Sequence, residues 1–196
     1  RKIEYERQKK HPNRRSRSRR SLQLQHRTFI DERPLNIDRR LRLGDTEGDF
    51  IVSGRTGKGV LLVVVDRKLR VSFLELILKV TISEVHKAFL RIKRRFPEMK
   101  TMTTDNDILF QHHKELEKLL NISIYFCHPY HSWEKGTVEN TNKYIRKDIP
   151  KSSDLSKYSG KFIKSVEAKL NRRPMKCLRY FTPEELLTRY RKRKSK

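Results

Sequence analysis

Three acidic residues of this 196-residue chain lie beside apolar segments and could together hold divalent cations. Asp49 is in the apolar run GDFIVSG, and Asp105 directly follows the stretch Met99 to Thr104. Glu139 comes after a further 33 residues, in a segment with few helix breakers. Magnesium prefers hard oxygen ligands and is usually held by a few carboxylates. Two divalent ions roughly 3.5–4 Å apart activate the attacking oxygen and stabilise the leaving oxygen in phosphodiester cleavage.

Each of these acids also has an ordinary structural explanation. An Asp at a strand end, such as Asp105, is often a turn or helix-capping residue. A Glu on a helix, such as Glu139, is usually part of a solvated face. Asp49 is less easily explained, because an acid in a buried strand carries a desolvation cost. The hypothesis of a metal site therefore depends on the joint placement of the three.

The apolar pattern predicts the elements that would bring them together. Two β-branched runs, GDFIVSG and GVLLVVVDRK, are separated by a glycine-rich segment and predict a hairpin. The alternating run from Arg70 to Leu76 predicts a third antiparallel strand. Two further strands are predicted at Met99 to Thr104 and Ile122 to Phe126. These five strands would place the three acids at one edge of the sheet.

Helical spacing predicts the segments between and after the strands. Val85, Phe89, Ile92 and Phe96 recur at helical intervals after a possible cap at Thr81. Further helices are predicted around residues 110–120, 134–149, 156–170 and 183–190. Three strands followed by helix, strand, helix, strand and helix is the element order of the ribonuclease H-like fold. We therefore expect an α/β domain with a five-stranded mixed sheet flanked by helices.

The distribution of charge favours a nucleic-acid partner. The chain has a formal net charge of +25, and segments 1–42, 43–140 and 141–196 carry +10, +2 and +13. A nearly neutral, acid-bearing middle between basic flanks suits an enzyme whose flanks bind phosphates. We interpret residues 1–42 as a basic N-terminal arm, disordered or a remnant, residues 43–187 as the core, and residues 188–196 as a basic C-terminal tail.

Cysteine usage and hydropathy predict a cytoplasmic protein. Cys127 and Cys177 lie fifty positions apart and form no disulfide framework. No apolar run approaches the roughly 20 residues that span a bilayer, and no secretion leader is visible. His112, His113, Cys127 and His128 are residue types that can bind zinc, but their spacing fits no common zinc finger. The sequence therefore predicts a reducing cytoplasm and no membrane partner.

The chain contains, in this order, the segments GDTEGDFIV, VVVDRKLR, TMTTDNDILF, SWEKGTVENTN, LNRRP and TPEELL. Together they resemble the catalytic core of bacterial insertion-sequence transposases of the DDE class, more narrowly the IS30 family, whose cores are similar to retroviral integrases. The resemblance covers about residues 43–187. It implies that Asp49, Asp105 and Glu139 are the first, second and third metal ligands. It also implies DNA ends and target DNA as substrates, and a homo-oligomer in the synaptic complex. The same resemblance implies a bacterial cytoplasm and association with the nucleoid.

The chain departs from that family's pattern at three points. Asp45-Thr46 stands where the family usually has His-Trp, and a Gly followed by an acid is missing around Asp107 to Leu109. Nothing in residues 1–42 resembles the helix-turn-helix region that reads the terminal repeats, and the chain begins at Arg1 without Met. A fragment, a truncated copy and a degenerate remnant therefore remain open.

Basic and aromatic residues near Glu139 are the candidate DNA contacts. On one helix, Lys135, Glu139, Lys143 and Arg146 would share a face, with an acid among three cations. The alternative is an ordinary charge-paired surface. Trp133 could also stack on a frayed DNA base, although a role in core packing explains this residue equally well. The predicted DNA-binding residues are Lys135, Lys143, Arg146, Trp133 and Asn140, and Tyr130 is a second candidate for stacking.

Two classes of function follow from these residues. The first is a DNA strand-transfer enzyme that uses Mg²⁺ or Mn²⁺ to cleave element ends and join them to target DNA. The second is a catalytically inactive remnant that only binds nucleic acid. The basic flanks and the altered segment at Asp107 support this second class. A ribonuclease acting on RNA–DNA hybrids is a third interpretation. It is less favoured because the segment SWEKGTVENTN resembles transposases.

Overall fold

The computed structural model describes residues 27–129 and 131–195, without the side chains of Ser132 and Trp133. Within these ranges the chain forms a mixed sheet in the order β1-β6-β5-β2-β3-β4. The strands are β1 (Thr28–Phe29), β2 (Asp45–Val52), β3 (Val60–Asp66), β4 (Ser72–Ile77), β5 (Thr101–Thr104) and β6 (Ser123–Phe126). The helices are α1 (Leu35–Asp38), α2 (Ile82–Arg95), α3 (His113–Leu120), α4 (Gly136–Asp148), α5 (Gly160–Asn171) and α6 (Pro183–Lys194).

The sheet combines an antiparallel meander with parallel strands. Strands β2, β3 and β4 pair antiparallel, as the sequence predicted for the first three runs. Strand β5 then pairs parallel with β2, and β6 pairs parallel with β5. Every residue of β3 is buried, which explains its unbroken Val and Leu sequence, since a strand covered on both faces has no solvent side.

Helices cover both faces of the sheet. Helix α2 begins where Thr81 accepts a hydrogen bond from the N–H of Glu84, and its buried residues recur at the predicted spacing. Helices α2 and α3 pack on one face, where Phe50, Leu62 and Val64 belong to the core. Helices α4 and α5 pack on the other face, against Ile51, Leu61 and Val63. The chain therefore buries a separate apolar layer on each side of β2 and β3.

The described structure extends beyond the predicted five-stranded core. A sixth strand, β1, pairs parallel with β6 in a segment that the sequence assigned to the arm. Arg27, Arg33 and Ile37 are buried, so these three residues of the segment pack against the domain. At the other end, α6 continues to Lys194, into the predicted tail. The predicted arm over residues 1–26 lies outside the described residues.

Each helix in the described part of the chain is too short or too polar to span a bilayer.

Candidate active site

Asp49 lies in β2, and Asp105 directly follows the neighbouring parallel strand β5. Glu47 of β2 is in register with Thr103 of β5, and each aspartate is two residues further along the chain. Side chains alternate along a strand, so Asp49 and Asp105 lie on the same face as Glu47 and Thr103. The side chain of Met102 packs over Gly48, where a Cβ would lie 2.8 Å from Sδ of Met102.

Glu139 lies in the first turn of α4, which is docked onto the sheet by a buried carboxylate. Oε2 of Glu47 accepts hydrogen bonds of 2.8 Å from the N–H groups of both Thr137 and Val138. The first N–H groups of a helix have no partners within it, and the helix N-terminus favours negative charge. Glu47 therefore fixes the end of α4 that carries Glu139 beside the strand that carries Asp49.

Glu47 is itself held from the opposite side. Its Oε1 accepts a 3.1 Å hydrogen bond from Nε of Arg67, and both side chains are buried. Nη1 of Arg67 also donates to the carbonyl of Ile37 at 2.7 Å. A buried acid with all of these partners has little freedom to rotate. Sequence reasoning missed Glu47, although an acid two positions before Asp49, on the same face of a buried strand, was an available signal.

The three predicted acids line one cavity of about 270 Å³. Asp49 and Asp105 are partly buried and Glu139 is exposed. The other lining residues are Cys127, His128, His131, Lys135 and Val138. Carboxylates that the chain separates by up to 90 positions thus face the same space.

The ammonium of Lys135 lies between the two aspartates. Its Nζ is 2.9 Å from Oδ1 of Asp49 and 2.9 Å from Oδ2 of Asp105. Burial disfavours the charged form of Lys135, but the two carboxylates outweigh it and the net pKa of the lysine is raised. The sequence placed Lys135 on the helix face of Glu139. It is instead the last residue of the 3₁₀ turn Ser132–Lys135, directly before α4.

Three further groups shape the surroundings of the aspartates. Nδ2 of Asn142 donates a 2.6 Å hydrogen bond to Oδ2 of Asp49, a contact that sequence reasoning did not predict. Burial raises the pKa of Asp107, and the charges of Asp105 and Asp49 raise it further. Burial also raises the pKa of the Cys127 thiol to about 12, so this thiol is neutral at pH 7 and a poor metal ligand.

The segment after Asp105 folds without the glycine that it lacks. Asp107 has φ of −60° and accepts a hydrogen bond from the N–H of Leu109, starting the 3₁₀ turn Ile108–Phe110. Because no positive φ is required at this position, an L-residue takes it without strain. Asn106 is held by Arg27 at 2.5 Å and donates to the carbonyl of Cys127. The missing glycine thus leaves the turn intact.

The predicted DNA-binding residues occupy different places. Lys143 is exposed on α4, and Arg146 donates to the carbonyl of Pro150 at 3.3 Å. Asn140 lines a second cavity of about 330 Å³, together with Arg40 and Arg70. The predictions for the side chain of Trp133 and for Tyr130 fall outside the part of the chain that the structure describes.

The fold is that of integrase catalytic cores. The catalytic core domain of BIV integrase superposes with a TM-score of 0.60 at 18% identity, over 78% of this chain and 99% of that one. A chain of the simian T-cell lymphotropic virus intasome, solved with PP2A regulatory subunit B56 gamma, gives a TM-score of 0.61 at 19% identity, over 72% and 53%. The predicted ribonuclease H-like fold is thereby confirmed.

Sequence comparison points to transposases of insertion sequences. The chain is 43% identical over 160 residues to the transposase for insertion sequence element IS4351 of Bacteroides fragilis, covering 81% of this chain and 49% of the relative. It is 36% identical over 164 residues to transposase InsI for insertion sequence element IS30A of Escherichia coli K12, covering 83% and 42%. The resemblance to DDE-class insertion-sequence transposases, including the IS30 family, is confirmed. No family model matches the chain.

The chain spans about half the length of the curated relatives it matches.

Proposed function

We propose that this domain cleaves DNA at the ends of a mobile element and transfers the freed strand into target DNA, with Asp49, Asp105 and Glu139 holding Mg²⁺ or Mn²⁺. The observation that carries this proposal is the convergence of the three acids on one cavity in an integrase-like fold. The similarity to insertion-sequence transposases supports DNA as the substrate. The formal net charge of +25 supports a polyanionic partner.

The residues of the cavity fit a divalent cation. Asp49, Asp105 and Glu139 offer hard oxygen donors, the type that magnesium and manganese prefer. The space between the two aspartates already accommodates positive charge, since the ammonium of Lys135 contacts both carboxylates. When bound, divalent ions would activate the attacking oxygen and stabilise the leaving oxygen of a phosphodiester.

The other groups of the chain have positioning and binding roles in this proposal. Asn142 orients the carboxylate of Asp49 through its 2.6 Å hydrogen bond. Lys135 balances the charge of the aspartates in the metal-free protein and binds a DNA phosphate once cations occupy the acids. Exposed Lys143 and partly exposed Arg146, further along α4, bind the strand that leads into the cavity. Asn140, around the helix, contacts the duplex from the side of the second cavity.

Metal-dependent nicking of DNA tests the proposal. The purified chain should nick a duplex that carries the element end in Mg²⁺ or Mn²⁺, and should not do so in EDTA. Asp49→Asn, Asp105→Asn and Glu139→Gln should each reduce nicking by a factor of at least about 1,000, within the range that catalytic groups contribute. Circular dichroism should show that each variant keeps its fold.

Glu115→Gln is the matched control, because Glu115 is an exposed carboxylate on α3, at the opposite face of the sheet. It should nick like the unaltered chain. Nicking retained in all three acid variants would reject the proposal. DNA binding without cleavage under any divalent metal would instead identify a noncatalytic nucleic-acid-binding protein.

A further inference from the structure

A second group of metal-ligand side chains lies beside the three acids. His128, His131 and Glu134 bring ligand atoms within 4.8 Å of one another, and all three are partly exposed. His128 follows β6, and Glu134 lies in the 3₁₀ turn Ser132–Lys135 that leads into α4. His128 and His131 also line the cavity of Asp49 and Asp105. The group is therefore accessible to a small ion from the same space.

The spacing of the atoms suits a four-coordinate transition ion. Nδ1 of His128 is 3.1 Å from Oε1 of Glu134, and Nδ1 of His131 is 3.6 Å from the same oxygen. In a tetrahedral zinc site with bonds of about 2.0–2.1 Å, neighbouring ligand atoms lie roughly 3.4 Å apart. Each imidazole nitrogen thus lies near the separation from the carboxylate oxygen that a tetrahedral ion requires, and all three ligand atoms lie within 4.8 Å of one another.

The surrounding contacts orient this group as in known metal sites. The second oxygen of Glu134 accepts a 2.9 Å hydrogen bond from the backbone N–H of His128, which fixes the carboxylate. The other ring nitrogen of His128, Nε2, is 2.7 Å from Oδ2 of Asp31. Histidines that bind metals almost always donate their second ring N–H to a carboxylate or carbonyl, so Asp31 is an outer carboxylate of the expected type.

We propose that His128, His131 and Glu134 bind a zinc-class divalent ion, with Asp31 orienting His128 and a fourth position open to the cavity. Two imidazoles and one carboxylate favour zinc or cobalt over magnesium, whereas the all-oxygen set of Asp49, Asp105 and Glu139 favours magnesium or manganese. A bound ion would link His128, His131 and Glu134 between β6 and α4, and would thereby restrict the position of Lys135, which follows Glu134.

Cobalt is the probe for this site, because four-coordinate Co²⁺ with nitrogen ligands absorbs visible light strongly and six-coordinate Co²⁺ among oxygen ligands absorbs weakly. Titration of the untagged chain should give an intense visible band that saturates at one equivalent. Zn²⁺ should abolish the band and Mg²⁺ should not. Zn²⁺ at tenfold over its Kd should also raise the Tm by about 4 °C.

Substitutions assign the band to its ligands. His128→Ala, His131→Ala and Glu134→Gln should each weaken Co²⁺ binding at least tenfold, and Asp31→Asn should weaken it by about tenfold. His112→Ala is the matched control, since His112 and Glu115 form a comparable pair at 3.1 Å outside this group. That variant should bind Co²⁺ like the unaltered chain.

The proposal is overturned if no intense band forms, or if the band survives in His128→Ala and Glu134→Gln. If a variant fails to fold, the Tm of the unaltered chain still tests whether the site binds Zn²⁺. A Tm that does not rise with Zn²⁺ overturns the proposal. Asp49→Asn should keep the Co²⁺ band while losing nicking, so failure of the zinc-class site and failure of the proposed function are distinguishable. A band lost in Asp49→Asn would assign the ion to the acids and contradict the inference.

Discussion

At the scale of single residues, the charge between Asp49 and Asp105 decides how the site behaves without metal. Two partly buried carboxylates on adjacent strands repel each other, and the ammonium of Lys135, 2.9 Å from both, offsets that repulsion. The lysine therefore takes the electrostatic place of a cation in the metal-free chain. A divalent ion arriving at the aspartates would compete with this contact.

Lys135→Met tests this competition. The variant keeps a long side chain but removes the charge, so the free energy of unfolding in EDTA should fall by about 1 kcal/mol, at the lower end for ion pairs because Asp105 is half exposed. Added Mg²⁺ should stabilise the variant more than the unaltered chain, as measured by urea unfolding. A larger Mg²⁺ effect on the unaltered chain would show that the lysine does not compete with the ion.

The sequence allowed Asp49 and Asp105 to be placed because both are adjacent to strands whose apolar pattern is clear. The position of Lys135 was predicted less well. The sequence prediction took Lys135 as part of the helix that carries Glu139, whereas α4 begins at Gly136. Asn142 was missed because its contact with Asp49 depends on how α4 is rotated against the sheet. That rotation is set by the packing of α4 side chains against the sheet, which cannot be read from the sequence alone.

At the scale of elements, the attachment of α4 to β2 positions Glu139. Glu47 accepts from two N–H groups of the helix and pairs with Arg67, all in buried surroundings. Glu47→Ala should lower the free energy of unfolding by about 3–5 kcal/mol, because it leaves the Arg67 charge and two helix N–H groups without their acceptor. Nicking should fall as well, since Glu139 loses its fixed position.

Glu47→Gln is the informative comparison, because an amide retains one oxygen for the helix N–H groups while losing the charge. Urea unfolding should place its stability between those of Glu47→Ala and the unaltered chain. Equal stability of the alanine and glutamine variants would contradict the role of these hydrogen bonds. Full nicking by Glu47→Ala would show that α4 keeps its place without them.

The last residue of β3 is a buried acid, Asp66, that makes stability depend on pH. Burial raises the pKa of Asp66 from 3.8 to about 6, against hydrogen bonds from the N–H groups of Leu69, Gly44 and Lys68. An acid with a raised pKa in the folded state contributes most below its unfolded pKa, and that contribution is lost as the pH rises from about 4 to about 6.

Asp66→Asn should remove this dependence. The free energy of unfolding of the variant, minus that of the unaltered chain, should increase by roughly 2–3 kcal/mol as the pH rises from about 4 to about 6, and stay constant above. Urea unfolding across this pH range measures the difference. A difference that does not change with pH, or that increases toward acid, would contradict the burial argument.

The strongly periodic elements could be predicted from the sequence, and the short ones could not. Helix α2 has a cap at Thr81 and a regular apolar face, and β3 is an unbroken apolar run. Strand β1 has only two residues, and it forms because β6, nearly a hundred positions away, offers an open edge. Such a strand has no local pattern that identifies it.

At the scale of the whole molecule, the positive charge should make DNA binding depend steeply on salt. Each phosphate contact contributes about 0.9 to the slope of log K against log salt concentration for duplex DNA. Lys143→Ala, at an exposed position on α4, should lower that slope by about 1 and weaken binding to all sequences alike. Filter binding or fluorescence anisotropy over a series of salt concentrations measures it.

Lys118→Ala provides the control on the opposite side, since Lys118 is exposed on α3, which packs on the other face of the sheet. It should leave the slope nearly unchanged. Equal effects of the two substitutions would mean that the charge acts as a diffuse field and that α4 is not the DNA-facing surface.

In the proposed function, three distant carboxylates form one site for divalent metal. Anomalous diffraction from crystals soaked in Mn²⁺ would locate the ion without reference to any activity. The expected result is a manganese peak within bonding distance of Asp49, Asp105 and Glu139, with the Lys135 ammonium moved away from the aspartates. Manganese bound only elsewhere, with Lys135 still bridging Asp49 and Asp105, would contradict it.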